Sequence, residues 1–594
     1  MLRRDVPITG ALPPGVWGSD AIAALLRELR LPYVCVNPGA SFRGLHDSIV
    51  NYLGNERPQM LLCLHEEHAV AIAHGYAKVT GRPLGAIVHS NVGLMHASMA
   101  IFDAWCDRVP VIVIGATGPV DADKRRPWID WLHTAHDQAA LVRHFVKWDA
   151  QPASVAAAFE AMVRAKQIAE TAPRGPVYVC FDAALQEAKI EACPALPDVG
   201  RFAPPASPQP APALVDQAGQ WLATAARPLI LMGRVCRDVT AWNDRVALAE
   251  RLGAAVLTDL KVGAAFPTDH SLHVTPPGFF LSPAAAEALR QADVVLSLDW
   301  LDLGGTLKQA WGREAVASKI VQVSLDQYNH TGWGMEHQGL PPTDLYLLGE
   351  PDDVVRQLLD RVPAGRAVAL SRRAPREIAP AQDVQGTISI AMLADALRAA
   401  VGDDEVCLIR LPLGWSGELW HFHHPLDYLG YDGGGGIGSG PGMAIGAAIA
   451  LHGSGRMPIA VLGDGDYLMG VNALWTAANA RVPLLVVACN NRSFFNDEVH
   501  QERVAKERGR PLENRWIGQR IADPEPDLAM LARAQGLVGI GPVKQATLLA
   551  GVLAQALAAL KGGATVVVDV HVSPGYAASM AGGTTRSQGE PAAR

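Results

Sequence analysis

The chain of 594 residues holds no apolar run long enough to cross a bilayer, no Cys-x-x-Cys pair and no excess of basic charge. Each shortage removes a class of function. Its apolar stretches are short and broken by turns, whereas a membrane-spanning helix needs about 20 apolar residues in succession. Eight cysteines are scattered from Cys35 to Cys489. Without paired spacing they read as reduced, buried thiols, not as a disulfide frame or a zinc site. A net charge of −8 gives no cationic footprint for nucleic acid. Met1-Leu2-Arg3-Arg4-Asp5 leads into proline and glycine where a secretory signal would carry its apolar core, so a cytoplasmic protein is expected. What is present, 49% hydrophobic and 19% charged residues, suits a large globular enzyme. The length exceeds what one core supports and points to about three domains.

Proline marks the divisions. Cys193 to Leu214 contains Pro194, Pro197, Pro204, Pro205, Pro208, Pro210 and Pro212, too many for a helix or sheet interior, and reads as an extended linker. Val362 to Gln385, with Pro363, Pro375 and Pro380, reads as a second. The blocks 1–192, 215–361 and 386–581 each alternate β-branched apolar runs with alanine-rich helical stretches. The expected fold class is therefore α/β, with three doubly wound parallel-sheet domains. The polar, glycine-rich segment 582–594 reads as a tail.

Met457 to Ser493 carries the clearest chemistry. It reads as a strand, the turn Gly463-Asp464-Gly465, a helix, a second strand and Asn490-Asn491. A βαβ unit sets the carboxyl ends of neighbouring parallel strands side by side, so Asp464 and Asn491 should meet at one sheet edge although 27 residues apart. A carboxylate and an amide oxygen beside a glycine turn suit a small hard cation that still needs phosphate oxygens. The plainer alternative is a polar turn at each strand end.

The first block repeats the pattern. Tyr33 to Val36 ends at Asn37-Pro38-Gly39, Met60 to Leu64 at His65-Glu66, and Gly85 to Val88 at His89-Ser90. If these strands are parallel, Asn37, Glu66 and His89 share one edge, where open α/β sheets place ligands. Glu67 to Val79 is helical in pattern, and an acidic residue at its mouth could simply favour the positive end of the helix dipole. Farther on, Gly433, Gly435 and Gly438 formally satisfy GxGxxG. No clean strand precedes them, and the next acidic residue is Asp464, so a nicotinamide site is not expected. A glycine loop opening a helix over Met443 to Leu451, with Ile437 projecting from it, suits close packing against a heterocycle.

Together these residues resemble a known superfamily. Gly463-Asp464-Gly465 followed by Asn490-Asn491 is similar to the signature of thiamine diphosphate (ThDP) enzymes. The segment from His65-Glu66 through Gly75-Tyr76-Ala77 resembles the region around the glutamate of the branch containing acetolactate synthase, benzoylformate decarboxylase and pyruvate oxidase. Asn37-Pro38-Gly39 and Ala473-Leu474-Trp475-Thr476-Ala477-Ala478 resemble benzoylformate decarboxylase in particular. The resemblance implies a pyrimidine-binding, a central and a diphosphate-binding domain in that order. It implies Mg²⁺ held by Asp464, Asn491 and the Ser493 carbonyl, and Glu66 hydrogen-bonded to N1′ of the cofactor's aminopyrimidine. Asn37, Pro38, Gly39, Gly438, Gly463 and Gly465 would line the cofactor, and Ile437 would hold it bent. His89 would transfer protons. Glu66 and the diphosphate site would come from different subunits, so a homodimer is the minimal active unit and a homotetramer the expected assembly.

Departures shape the expected substrate. A second histidine of benzoylformate decarboxylase has no counterpart in Asp299 to Thr306, and the pocket positions after Ser493 fall on Asn496, Asp497 and His500. With Ser90 these point to a polar substrate, because an aromatic one would leave polar groups unpaired at about 1–3 kcal/mol each. The competing reading is a solvated helix start with Asp497 and Glu498 in its first turn. Gly233-Arg234-Val235-Cys236 and the acidic Asp299-Trp300-Leu301-Asp302 fit flavin poorly, so FAD stays a lesser alternative. The expected activity is a ThDP- and Mg²⁺-dependent lyase or carboligase, foremost a non-oxidative 2-oxo acid decarboxylase. The alternatives are an acetolactate synthase-like transferase with FAD and a catalytically silent scaffold.

Overall fold

The computed structural model describes residues 2–8, 17–329, 339–363 and 387–575. Among the described residues sixteen strands form three wholly parallel sheets. The first contains β1 (Tyr33–Val36), β2 (Gln59–Leu62), β3 (Gly85–Ile87), β4 (Ile112–Thr117), β5 (Asp149–Ala150) and β6 (Val177–Asp182), in the order β2-β1-β3-β4-β6-β5. The second contains β7 (Pro228–Met232), β8 (Ala255–Thr258), β9 (Val294–Leu298), β10 (Lys319–Val323) and β11 (Leu345–Leu347), ordered β11-β10-β9-β7-β8. The third contains β12 (Val406–Arg410), β13 (Met457–Gly463), β14 (Leu484–Asn490), β15 (Val538–Val543) and β16 (Thr565–His571), ordered β12-β13-β14-β16-β15. The central strands are buried runs of Val, Ile, Leu and Ala, as sheets covered by helices on both faces require. The α/β class with three parallel-sheet domains is thus observed.

Between the first two sheets the chain carries a short 3₁₀ turn, Val199–Phe202, and then helix Pro212–Thr224, which takes proline at its first turn. The expected second linker falls outside the described residues from 364 onward, and the segment 582–594 lies outside them entirely. Among the described residues no helix is long and apolar enough to cross a membrane.

The outer two domains are joined backbone to backbone. Helix Glu66–Thr80 of the first lies against helix Gly440–Ala450 of the third. A Cβ on Gly75 would sit 2.0 Å from the Met443 carbonyl oxygen, and one on Gly446 would sit 1.9 Å from that of Ile72. Two reciprocal glycines therefore set how closely these helices approach. Gly446→Val should destabilise the protein by about 1–3 kcal/mol or more through overpacking, read as a lower midpoint in chemical denaturation. Gly551→Ala, in helix Leu549–Lys561 with nothing near its would-be Cβ, should be neutral or stabilising by up to about 1 kcal/mol. Equal effects from the two would remove the packing argument. One arginine of the central domain reaches both of the others: Arg237 donates to the carbonyls of Lys78 (2.8 Å), Pro425 (3.1 Å), Tyr428 (3.0 Å) and Leu429 (2.8 Å), while Trp242, Leu260, Ala264 and Phe279 share an apolar core with the third domain.

Candidate active site

Strand β13 pairs directly with β14, Gly463 standing opposite Cys489, so the two chain turns beyond them are neighbours. The first enters helix Asp464–Gly470, with Asp464 buried at its start. Asp464 Oδ2 and Asn491 Oδ1 both accept from the Ser493 N–H, at 3.2 and 2.9 Å, so the two oxygens converge on one point. Asp464 Oδ1 accepts from Gly465 N at 3.0 Å. Burial pushes the Asp464 carboxyl up to about 6, against backbone N–H groups that pull it down. Its hydrogen-bond partners are backbone amides and no cationic side chain. A buried carboxylate converging with an amide oxygen on a common point is a donor set that fits Mg²⁺, the cation's own charge offsetting the burial. Gly465 is required beside it, since a Cβ there would lie 2.7 Å from the Phe494 ring.

These residues open onto a cavity of about 310 Å³ at the carboxyl edge of the third sheet. Gly463, Asp464, Gly465, Asn491 and Ser493 line it, together with Ile437, Asn496 and Asp497. Ile437 is carried by a glycine loop pinned from below. Asp466 Oδ1 accepts from Gly438 N (2.7 Å) and Gly440 N (3.2 Å), while Asp466 Oδ2 pairs with Arg410 Nε at 2.7 Å. Arg410 also pairs with Asp432 at 2.6 Å and lies 4.2 Å from the Tyr431 ring centre. With two carboxylates and an aromatic face around it, the buried guanidinium is held firmly charged. Gly438 has φ +107°, a backbone state suited to glycine. The segment before the loop, His421 to Pro425, forms no strand, so the glycine run has no βα turn of the nicotinamide kind. Arg410 and Asp466 escaped the sequence reading. A charged residue closing the apolar run Val406–Arg410 and the second acid of Asp464-Gly465-Asp466 were the signals for them.

Helix Phe495–Glu507 begins with Asn496 and Asp497 facing this cavity and Glu498 buried, accepting from the Ser493 hydroxyl. His500, one turn on, is exposed and does not line the cavity. Both expectations for this stretch therefore describe part of it: it is a helix start with acids in its first turn, and two of its polar residues face the cavity.

At the first sheet β1 pairs with both β2 and β3 in parallel, which puts Asn37, Glu66 and His89 at one edge. Asn37 spends its amide on the Cys63 carbonyl at 3.0 Å, bracing β1 against β2. Pro38 and Gly39 follow, and a Cβ on Gly39 would lie 2.6 Å from the His89 ring. His89 Nδ1 is 2.8 Å from Ser41 Oγ, and its ring meets His133 edge-on at 4.6 Å. Burial, then the neighbouring His133, hold His89 below the usual histidine range, so the imidazole is available as a neutral base. Ser90 is fully buried and its N–H donates to the same Ser41 Oγ at 3.3 Å. Glu66, 5% exposed, stands at the start of helix Glu66–Thr80, capped by His65, whose ring accepts from Glu67 N. Glu66 is not among the residues lining the Asp464 cavity of its own chain.

A second crevice of about 600 Å³ lies where the central domain meets the other two, with Arg108, Arg174, Arg234 and Arg237 on its walls. Three of these cations are engaged, Arg237 by the main-chain carbonyls described above and the other two by one carboxylate. Asp299 accepts from Arg108 at 3.1 Å and Arg234 at 3.0 Å, and a Cβ on Gly233 would lie 2.2 Å from the Asp299 carbonyl oxygen.

Comparison with known proteins agrees with this architecture. The N-terminal TPP binding domain of thiamine pyrophosphate enzymes matches residues 16–141, the central domain of those enzymes 215–358 and their C-terminal TPP binding domain 412–570. The acetolactate synthase large subunit of Corynebacterium glutamicum is 25% identical over 90% of this chain and 84% of its own. Benzoylformate decarboxylase of Pseudomonas aeruginosa is 25% identical over 73% and 79%. A probable 2-ketoarginine decarboxylase of the same organism is 25% identical over 87% and 88%. In fold, benzoylformate decarboxylase from Polynucleobacter necessarius superposes with a TM-score of 0.76 at 20% identity, covering 94% of this chain and 98% of that one. With all three domains matched in order across most of its length, the chain belongs to the thiamine diphosphate-dependent enzyme family.

Proposed function

We propose that the protein is a ThDP- and Mg²⁺-dependent C–C lyase or carboligase, acting foremost as a non-oxidative decarboxylase of a polar 2-oxo acid. The observation that carries this reading is the convergence of Asp464 and Asn491 oxygens above a glycine turn, in a cavity that Ile437 enters from the opposite loop. In this reading Asp464, Asn491 and the Ser493 carbonyl hold Mg²⁺ and, through it, the diphosphate, while Gly438, Gly463 and Gly465 let backbone approach the cofactor. The cofactor supplies a thiazolium that serves as electron sink while a bond to the substrate carbonyl carbon breaks. The protein's own part is to bind, orient and move protons. Glu66 holds N1′ of the aminopyrimidine, Asn37, Pro38 and Gly39 border it, and His89, oriented by Ser41 beside Ser90, exchanges a proton with the reacting substrate. Asn496 and Asp497 meet the polar end of the substrate, and His500 lies at the outer margin.

Glu66 does not line the Asp464 cavity of its own chain. That accords with a site completed by a second copy, so a homodimer is the minimal unit and a homotetramer the assembly proposed. All eight cysteines are free thiols, in keeping with a cytoplasmic location. The acetolactate synthase-like reading has one observation in its favour: the arginine-lined crevice of the central domain has room for a further anionic cofactor. Denaturing the purified protein and analysing what it releases separates the two. ThDP without flavin, together with CO₂ release from a polar 2-oxo acid in a substrate panel, is the expected result. Released FAD would favour the synthase, and absence of both cofactors would remove either reading.

A further inference from the structure

Helix Asn91–Cys106 packs directly on the Glu66 carboxyl, and it brings a second histidine to the first sheet's edge. A Cβ on Gly93 would lie 2.7 Å from Glu66 Oε1, so on that side the helix backbone closes over the acid. One turn later, His96 Nδ1 lies 3.0 Å from Glu66 Oε2. The His96 ring is itself oriented: the His65 ring stacks on it, with centres 4.6 Å apart and planes 23° apart. His65 is fixed in turn as the helix cap, its Nδ1 taking the Glu67 N–H at 3.2 Å. Glu66 is nearly sealed from solvent, whereas the His96 side chain is 55% exposed in the single chain.

We propose that His96 is a positioning residue and proton partner for Glu66, a hydrogen-bonded imidazole–carboxyl pair through which the buried acid gains and loses its proton. The inference rests on the reading of Glu66 as the group that holds the cofactor's aminopyrimidine. An acid in that role must carry a proton at one moment and release it at another, and a carboxyl closed off by Gly93 has no water path of its own on that side. In the exchange, the imidazolium form of His96 passes its Nδ1 proton to Glu66 Oε2 and is left as the neutral ring with its proton on Nε2; on return Nδ1 takes the proton back and Nε2 releases one to water. Charge moves from carboxylate and imidazolium to carboxyl and neutral imidazole, and back by the reverse path. The ionisable groups that face the pair are His65 and Glu67 at the helix mouth, His89 with His133 behind it, and His68, whose ring centre is 5.2 Å from that of His65. Burial keeps His65, His68 and His89 below the usual histidine value, so these neighbours are neutral near pH 7 and do not repel a proton held between His96 and Glu66.

Two measurements test this. In the cofactor-free protein, the Nδ1 resonance of His96, assigned by its loss in His96→Gln, is followed by nitrogen NMR at a fixed pH. In Glu66→Ala, which removes the partner of Nδ1, it should move to the position of a ring without that hydrogen bond. An unmoved resonance overturns the pairing. In the ThDP-loaded protein, His96→Gln and His96→Asn keep a donor near Oε2 but cannot titrate. They should bind ThDP within about twofold of wild type yet slow C2-proton exchange on the order of 10-fold or more, with one limb of its pH profile lost. Wild-type exchange and pH profile in both variants overturn the proton role. The first measurement needs no cofactor, so a protein that binds no ThDP would sink the functional reading and leave the pairing separately tested.

Discussion

Glu66→Gln should leave ThDP bound and stop exchange of its C2 proton, or slow it by roughly 10²–10⁴-fold, the range over which a positioned acid–base group acts. Glutamine matches glutamate in size and keeps an oxygen for His96, so the helix start and its His65 cap should survive. What it lacks is a proton that can be given up and recovered. Binding is measured by quenching of intrinsic tryptophan fluorescence, and exchange by rapid quench from deuterium oxide and proton NMR of the released cofactor. Exchange at the wild-type rate would take Glu66 out of the mechanism, however well its position fits.

The second large effect concerns Asp464. Asp464→Asn keeps the size of the side chain, removes the charge, and leaves an oxygen for only one of the Gly465 and Ser493 amides, which donate to Oδ1 and Oδ2 respectively; the other faces an NH2 group, at a cost of about 1–3 kcal/mol. Retention of ThDP in the presence of Mg²⁺ should weaken on the order of 100-fold or more, since even groups outside a metal's own ligand set cost 10–100-fold when lost. Stability should vary with pH. In the cofactor-free protein, burial pushes the Asp464 carboxyl from 3.8 up to about 6. A folded value raised above the unfolded one means the folded state holds the proton longer. Stability is therefore full below about pH 4 and falls as pH rises through 6. Asparagine has no charge to bury and its lost hydrogen bond costs the same at either pH, so the variant's stability relative to wild type should be higher at pH 7 than near pH 4, by up to about 3 kcal/mol. Denaturant melts at the two pH values, without cofactor, check the sign. A stability difference that is the same at both pH values would mean that Asp464 is structural first, and that lost cofactor binding follows from lost fold. Weaker function with a relative stability that rises with pH is the signature of a site held under electrostatic tension.

The placement of these residues was legible in the sequence to different degrees. Strand ends were readable because parallel strands covered on both faces are short apolar runs, and whatever follows them stands at one edge. Asn37, Glu66, His89, Asp464 and Asn491 were found in that way, and β1 and β7 lie where the apolar runs Tyr33–Val36 and Pro228–Met232 place them. Residues whose placement depends on helix phase or on another domain were not readable. His96 meets Glu66 because helix Asn91–Cys106 leans on the mouth of helix Glu66–Thr80, and no local spacing encodes that lean. Arg410 and Asp466 find each other only once β12 and β13 lie side by side. His500, placed by counting along the chain from Ser493, stands on the exposed side of helix Phe495–Glu507 and outside the cavity lining.

The contacts between domains differ in kind, and that difference governs which parts of the chain can be exchanged with a relative's. Where Gly75 and Gly446 let two backbones touch, each surface is shaped by the other with no side chain to absorb a mismatch. A chimera that replaces only the first or only the third domain must reproduce both glycine faces at once. The central domain is held differently, since Arg237 reaches main-chain carbonyls on both sides, and carbonyls are present whatever side chains surround them. Recombination should therefore keep the outer pair together, and an exchanged central domain must bring with Arg237 the Asp299 that meets Arg108 and the Trp242, Leu260, Ala264 and Phe279 side chains that share a core with the third domain.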